Sequence, residues 1–351
     1  MAPAARWRSA VVGAIIASCP PPGLPETPMR PTRRHFTTSA LAAAAWPGLL
    51  HAQAWPSKPL RVFVGYSAGG AVDVVARAVA QHLGPALGQA VVVENKPGAG
   101  TNIAMRALID SPPDGHTLML VANAVAANPT LYQPAPFDTQ RDLTPISLVG
   151  RVPVVIAANA ASEVNSLQKL IALSKAKPGS VNYGSPGNGS TPHLAVELFQ
   201  RAAGIDLTHV PYKGGSQAIT DTLAGHIQTV AVNALEVQAQ VKAGKLRVLA
   251  VLAPSRSPIF PDAPSIAESG YAGFEASVWY GFVGPAGVPA PVVARLHAEI
   301  QKILQLPEVR DRLAAAGGEV LPGPVERFAQ LLLDERNRYG KLIREARIQP
   351  D

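Results

Sequence analysis

Short apolar strands that run into glycine-rich loops, each followed by a helix, recur along this chain and constrain its fold more than any other feature. Leu60–Val64 leads into Gly65-Tyr66-Ser67-Ala68-Gly69-Gly70, and a helix follows with Val72, Val75, Ala76, Val79 and Leu83 on one face. Ala90–Glu94 leads into Pro97-Gly98-Ala99-Gly100-Thr101-Asn102 and a helix to about Ile109. Thr117–Ala122 is a third strand, ending at Asn123. The pattern restarts at Ser180–Tyr183, whose loop reads Gly184-Ser185-Pro186-Gly187-Asn188-Gly189-Ser190 and whose helix carries Leu194, Leu198, Phe199 and Ala202 until Gly204. Leu207–Pro211 then precedes Tyr212-Lys213-Gly214-Gly215 and a helix through Ile219, Leu223 and Ala224, and Ile227–Val232 ends at Asn233. Repeated β-loop-α units predict parallel strands joined by right-handed crossovers, hence an α/β fold whose loops gather at the carboxyl ends of the strands.

The remaining segments place two such units in one chain. Asn128–Tyr132 opens a stretch expected to be irregular to about Leu148, and Val152–Ala158 reads as a strand. Ser166 caps a helix from Leu167 to about Lys177, Val237–Ala243 reads as a short helix and Lys245–Leu252 as a strand. After a proline-rich connection, Pro254–Pro264, comes the strand Val278–Val283, and then helices over Ala290–Leu304, Pro307–Ala316 and Val325–Ala346. That helical cover exceeds what the second unit needs, so it is expected to return to the first. The reading is two lobes, residues 55–154 plus 253–351 and residues 155–252, joined by a double hinge near 152–158 and 246–253 and able to close on a small ligand.

The loops carry the chemistry. In Tyr183–His193 three glycines allow backbone N–H groups to turn inward, Ser185, Ser190 and Thr191 add hydroxyls, and Pro192 suits a first helical turn. Such a loop at a positive helix end can cradle an anion; it is also what a tight βα turn with a capped helix looks like. The Gly-Lys-Ser/Thr ending of a nucleotide loop is absent. Asp73 stands at the first loop–helix junction, either as a dipole-favoured partner of Arg77 or as a receiver of a ligand amine or hydroxyl. His193 is read as structural or as a ligand contact, and Trp279 as a cleft wall or as packing between the lobes. Asn123, Asn128 and Asn233 are read as ligand contacts or as turn caps.

Composition excludes several classes. Cys19 is the only cysteine and the six histidines after residue 54 show no metal-ligand spacing, so no metal is expected. A Gly-x-Ser-x-Gly elbow is absent around Ser185 and Ser190, which argues against a hydrolase. The net charge of +7 is concentrated in residues 1–54, which hold five arginines and one glutamate; with no later Lys/Arg block, nucleic acid is not an expected partner. Thr32-Arg33-Arg34-His35-Phe36, an alanine-rich run Ser39–Leu50 and Ala52-Gln53-Ala54 together read as an export leader cleaved after Ala54. The twin arginines point to the Tat route, and Thr37-Thr38 leave Sec open. Met29 stands where a start would lie, making 1–28 upstream sequence; the competing reading takes Ile16-Ala17-Ser18-Cys19 as a lipoprotein box.

Ordered motifs extend over essentially all of 55–351. They include Trp55-Pro56-x-Lys58-Pro59-Leu60-Arg61, Gly69-Gly70-x-x-Asp73-x-x-Ala76-Arg77 and Val93-Glu94-Asn95-Lys96-Pro97-Gly98-Ala99-Gly100, then Pro113-Asp114-Gly115-His116-Thr117-Leu118 and Asn128-Pro129-x-Leu131-Tyr132. The second unit adds Tyr183-Gly184-Ser185-x-Gly187-x-Gly189-Ser190-x-x-His193-Leu194-Ala195, His209–Gly214 and Gly244-Lys245-Leu246-Arg247. In these the chain resembles the solute-binding receptors of the tripartite tricarboxylate transporter family, the Bug receptors. The resemblance implies a two-lobe, type II periplasmic binding-protein fold, no catalysis and no cofactor, a periplasmic monomer, and membrane transport subunits as partners. It implies a small carboxylate ligand (a dicarboxylate, tricarboxylate, amino acid or aromatic acid) gripped from opposite lobes by Tyr66, Ser67, Ala68, Gly69 and Gly70 and by Ser185, Gly187, Gly189, Ser190 and Thr191, with Asp73 at the family's aspartate position. His193 belongs to a matching motif, and Asn123, Asn128 and Asn233 complete the expected contacts. Two departures bear on the ligand: the first loop lacks the family's usual proline and phenylalanine, and Thr229–Asn233 lacks the usual aromatic and acidic residues. A liganded receptor of this design serves a transporter or a membrane sensor kinase equally, and sequence leaves the two open.

Overall fold

A computed structural model describes residues 55–350 apart from 275 and 315–317. The leader expected over 1–54 lies outside the described residues. The first unit comprises β1 (Leu60–Val64), α1 (Ala71–Leu87), β2 (Val91–Asn95), a 3-10 turn at Ala99–Thr101 running into α2 (Asn102–Ile109), β3 (Thr117–Val121) and α3 (Ala124–Leu131). β1 pairs in parallel with β2 and β3, as the β-loop-α rhythm predicts. The apolar face of α1 packs down on this sheet: Val72, Val75, Ala76, Val79 and Leu83 are all buried, and Gly88, at φ 70°, ends the helix.

The second unit repeats the plan with α4 (Leu167–Ala176), β5 (Asn182–Ser185), α5 (Thr191–Ala203), β6 (Thr208–Pro211), α6 (Gly215–Ala224), β7 (Thr229–Asn233), α7 (Ala234–Lys242) and β8 (Leu246–Val251). Here β5 lies parallel to both β6 and β7. The caps are those expected: Ser166 Oγ accepts from Lys169 N–H, Ser190 Oγ accepts from His193 N–H, and Gly204 stops α5 at φ 61°.

One strand belongs to both sheets. β4 runs from Leu143 to Asn159, far longer than the expected Val152–Ala158. Its first part, to Pro153, pairs antiparallel with β9 (Ser277–Pro285), while Val154–Asn159 pairs with β7 on one edge and β8 on the other. Pro145 and Gly150 obscured this strand in the sequence; the ladder absorbs them as register shifts between Pro145 and Ser147 and between Leu148 and Gly150. The strand orders are β2-β1-β3-β9-β4 and β6-β5-β7-β4-β8, continuous through β4. Where β4 changes partners, Leu252 N–H donates to Val154 O, Val154 N–H to Ala276 O and Ala276 N–H to Leu252 O, at 2.8–3.1 Å. Three chain segments therefore meet where two crossing segments, near 152–158 and 246–253, were expected.

The C-terminal elements α8 (Ala290–Ile303), α9 (Pro307–Ala314), the two-residue β10 (Glu319–Val320) and α10 (Val325–Ala346) cover the first sheet. Phe328, Leu332, Tyr339 and Ile343 line the inner side of α10 and join Phe63, Met119 and Trp279 in a second core. The helix α3 replaces part of the irregular stretch expected from Asn128. Residues 124–129 are buried all round, so no polar face marked them as helical. Among the described residues no helix is long and apolar enough to cross a membrane.

Candidate functional site

The carboxyl ends of the two parallel strand sets face each other, bringing the loops after β1 and β2 against those after β5 and β6. Ser67 N–H and Ser67 Oγ both donate to Lys213 O, at 2.9 and 2.8 Å, and Ser216 Oγ donates to Ala68 O at 3.3 Å. Between the loops lie two adjoining cavities that share Tyr66 and Pro186. The inner one, of about 20 Å³, is lined by Tyr66, Gly70, Ala71, Ser190, Thr191, Gly215, Asn233 and Glu236 among others. The outer one, of about 290 Å³, lies between Gly98–Thr101 and Tyr132 on one side and Gly187, Asn188 and Tyr212–Lys213 on the other. A larger groove of about 590 Å³ borders α10 and β9, away from these loops.

Four helix N-termini border the inner cavity: α1 at Gly70–Ala71, α5 at Ser190–Thr191, α6 at Gly215 and α7 at Asn233. Each carries a partial positive charge, and among the described residues the inner lining contains no lysine or arginine. The positive potential of this lining comes from backbone dipoles.

The expected site residues divide by position. Tyr66, Gly70, Ser190, Thr191 and Asn233 line the inner cavity and Gly187 the outer one. Ser67 and Ala68 engage the opposing loop. Ser185 is fully buried; its hydroxyl accepts from Gly187 N–H at 3.1 Å and lies 2.7 Å from His209 Nε2, so it shapes the loop from below and lines neither cavity. Gly189, at φ 70°, donates its N–H to His193 Nδ1 at 3.2 Å. His193 stacks on His209, with ring centroids 4.1 Å apart, and His209 on Tyr183. Burial, reinforced by the charge of His209, pushes the His193 pKa down to about 3. His193 is therefore a neutral support for the loop.

Asp73 faces inward to its own half. Its carboxylate accepts from Gly69 N–H, Arg77 Nε and Asn95 Nδ2 at 2.9–3.0 Å. Burial alone would raise its pKa, but these bonds and the Arg77 charge outweigh that and hold it below the usual range. It braces the first loop without lining either cavity. Asn123 is likewise a brace: its amide donates to Ser277 O, Glu335 Oε2 and the Tyr339 hydroxyl, and accepts from Trp279 N–H. Trp279 packs edge-on against Phe328 and donates to Glu335, within the second core instead of the cleft. Asn128 Nδ2 donates to Gly100 O and Asn102 Oδ1, bracing the loop after β2.

Glu236, in the first turn of α7, was not singled out from the sequence. Its Oε1 accepts from Asn233 Nδ2 at 2.9 Å, while Oε2 is shielded from solvent and makes no well-formed hydrogen bond. Burial pushes its pKa up to about 7, against the opposing effect of hydrogen bonding from Asn233 and from the Ala71 N–H. In sequence it looks like an ordinary first-turn carboxylate on an exposed helix. Only the approach of α1 and α6 buries it.

Two α/β halves, a shared crossing strand and loops that face each other give the architecture of a solute-binding protein. The model of the tripartite tricarboxylate transporter family receptors matches residues 75–348, and the chain belongs to that family. Three solved structures are similar. The periplasmic binding protein BugD shares 31% identity at a TM-score of 0.81, covering 85% of this chain and 100% of that one. R. palustris Rpa4515 with adipate shares 30% at 0.80, with coverage of 85% and 100%. MatC from Rhodopseudomonas palustris with bound malate shares 28% at 0.78, with coverage of 82% and 100%.

Proposed function

We propose that this receptor, exported to the periplasm through a leader removed after Ala54, binds a small carboxylate between two lobes and delivers it to the membrane subunits of a tripartite tricarboxylate transporter. The lobes are 55–154 plus 253–351 and 155–252, and they hinge where β4 exchanges partners at Val154. The observation that carries the reading is the convergence of four helix N-termini on one cleft with no basic side chain among its described inner lining residues. The adipate and malate held by two relatives support the ligand class. The inner cavity has room for about one water, so a carboxylate enters as the lobes part. Ser190 and Thr191, at the head of α5, are the contacts, with Tyr66 and Asn233 as walls; the receptor works as a monomer, without catalysis.

The test is thermal stabilisation of the mature protein, unfolded and refolded to strip bound solute, against a panel of mono-, di- and tricarboxylates and amino acids. A rise in Tm that grows with concentration is expected for at least one acid. No rise with any of them overturns the ligand class. Mass spectrometry of the exported protein is expected to find Trp55 at its N-terminus.

A further inference from the structure

The four helix N-termini around the inner cavity are not equally free. The Glu236 carboxyl reaches from α7 into the space beside two of them. A Cβ built on Gly70 would stand 3.6 Å from Glu236 Oε2, and one built on Gly215 would overlap the carboxyl. The Ala71 N–H also points at this carboxyl. The positive ends of α1 and α6, and of α7 itself, where Asn233 donates to the same carboxyl, are thus already matched by a side chain of the protein, which leaves the α5 end, with Ser190 and Thr191, for the carboxylate of a solute.

The second oxygen of Glu236 is shielded from solvent and makes no well-formed hydrogen bond. Buried acceptors in native proteins are satisfied by a protein group, a water or a ligand. The adjoining space admits about one water, which a donor group on a solute would displace. Resting on the reading of the cleft as a carboxylate site, we propose that Glu236 is the specificity-determining residue: its Oε2 accepts a hydrogen bond from an ammonium or hydroxyl carried by the solute, so that amino or hydroxy acids are favoured over the same acids without that group. An acid without a donor leaves Oε2 unsatisfied, whereas an ammonium gains a charge-assisted bond in a site that has no competing basic side chain among its described inner lining residues. The fold supplies the clearance: Gly215 is the residue at the head of α6 that lets the carboxyl in.

The test compares two matched triplets on the stripped protein by calorimetry: propionate, lactate and alanine, then succinate, malate and aspartate. Within a triplet only a hydrogen, a hydroxyl or an ammonium differs. In the wild type the hydroxy or amino member of the binding triplet is expected to bind about tenfold or more tightly than the unsubstituted acid. In Glu236→Gln, and more completely in Glu236→Ala, that ratio is expected to fall below about threefold. The unfolding midpoints of the unliganded variants establish that they fold. A wild type that binds the unsubstituted acid equally well, or a preference that survives in both variants, overturns the role of Glu236 while leaving a carboxylate receptor intact. Failure of all six acids, together with the whole carboxylate panel, overturns both readings.

Discussion

The Glu236 carboxyl lies against the first residue of α6 so closely that a Cβ on Gly215 would occupy the position of its Oε2. Gly215 does not have the positive φ that makes many glycines of this chain irreplaceable, so its lack of a side chain serves packing alone. Gly215→Ala is expected to destabilise the closed protein by about 1 kcal/mol or more through overpacking. In a Glu236→Ala background the same change is expected to cost almost nothing. Denaturant titration of the four proteins gives the coupling directly; equal costs in both backgrounds would refute the contact.

Glu236 also sets a pH dependence. Its pKa is raised to about 7 in the folded protein, chiefly by burial, from an ordinary value of 4.5. The folded state therefore binds more protons than the unfolded state between those values. The stabilising contribution is complete below about pH 4.5 and is lost as pH rises through about 7. Glu236→Gln is accordingly expected to raise stability more at pH 8 than at pH 5, with a difference on the order of 2 kcal/mol. Unfolding curves of wild type and variant at the two pH values check this, and parallel shifts would contradict it.

Asp73 works in the opposite direction. Its pKa is held low, so its stabilising contribution is present above the ordinary aspartate range and is lost as pH falls through the folded value. Asp73→Asn is expected to lose about 1–3 kcal/mol at pH 7, since Arg77 and Gly69 N–H lose a charged acceptor. Because the carboxylate braces the loop from outside both cavities, the ranking of ligands is expected to stay as in the wild type. A changed ranking with unchanged stability would place Asp73 in the binding surface.

Ser67 joins the two facing loops through Lys213 O. Ser67→Ala removes the hydroxyl bond and keeps the backbone one. Ligand release is expected to quicken about fivefold, with little change in association, as the loss of roughly 1 kcal/mol from the closed form alone requires. Stopped-flow dissociation measures it; an unchanged release rate would show that this bond does not hold the cleft shut.

Much of the fold was legible because its signals are local. The face Val72–Leu83 has helical spacing, Ser166 and Ser190 cap helices, Gly88 and Gly204 end them, and each glycine-rich loop follows a short apolar strand. What escaped notice lacked contrast between faces. The α3 segment is buried on every side, and Pro145 and Gly150 broke the pattern of β4 that its neighbours restore through register shifts. At the site the sequence located the loops but not the division of work within them. Ser185, His193 and Asp73 are polar residues of the same kind as Ser190, Thr191 and Asn233, yet the former support the loops and the latter line the cavity.

The chain by itself determined the two β-loop-α units, the capped helices and the family, because periodicity, capping and ordered motifs depend on near neighbours in sequence. Tertiary structure alone decided what stands in the cleft. Glu236, Gly215 and Ala71 are ordinary residues at three helix starts, and they acquire meaning only when two halves of the protein bring those starts together. Burial then raises the carboxyl's affinity for a proton, and the same burial leaves one of its oxygens in want of a donor.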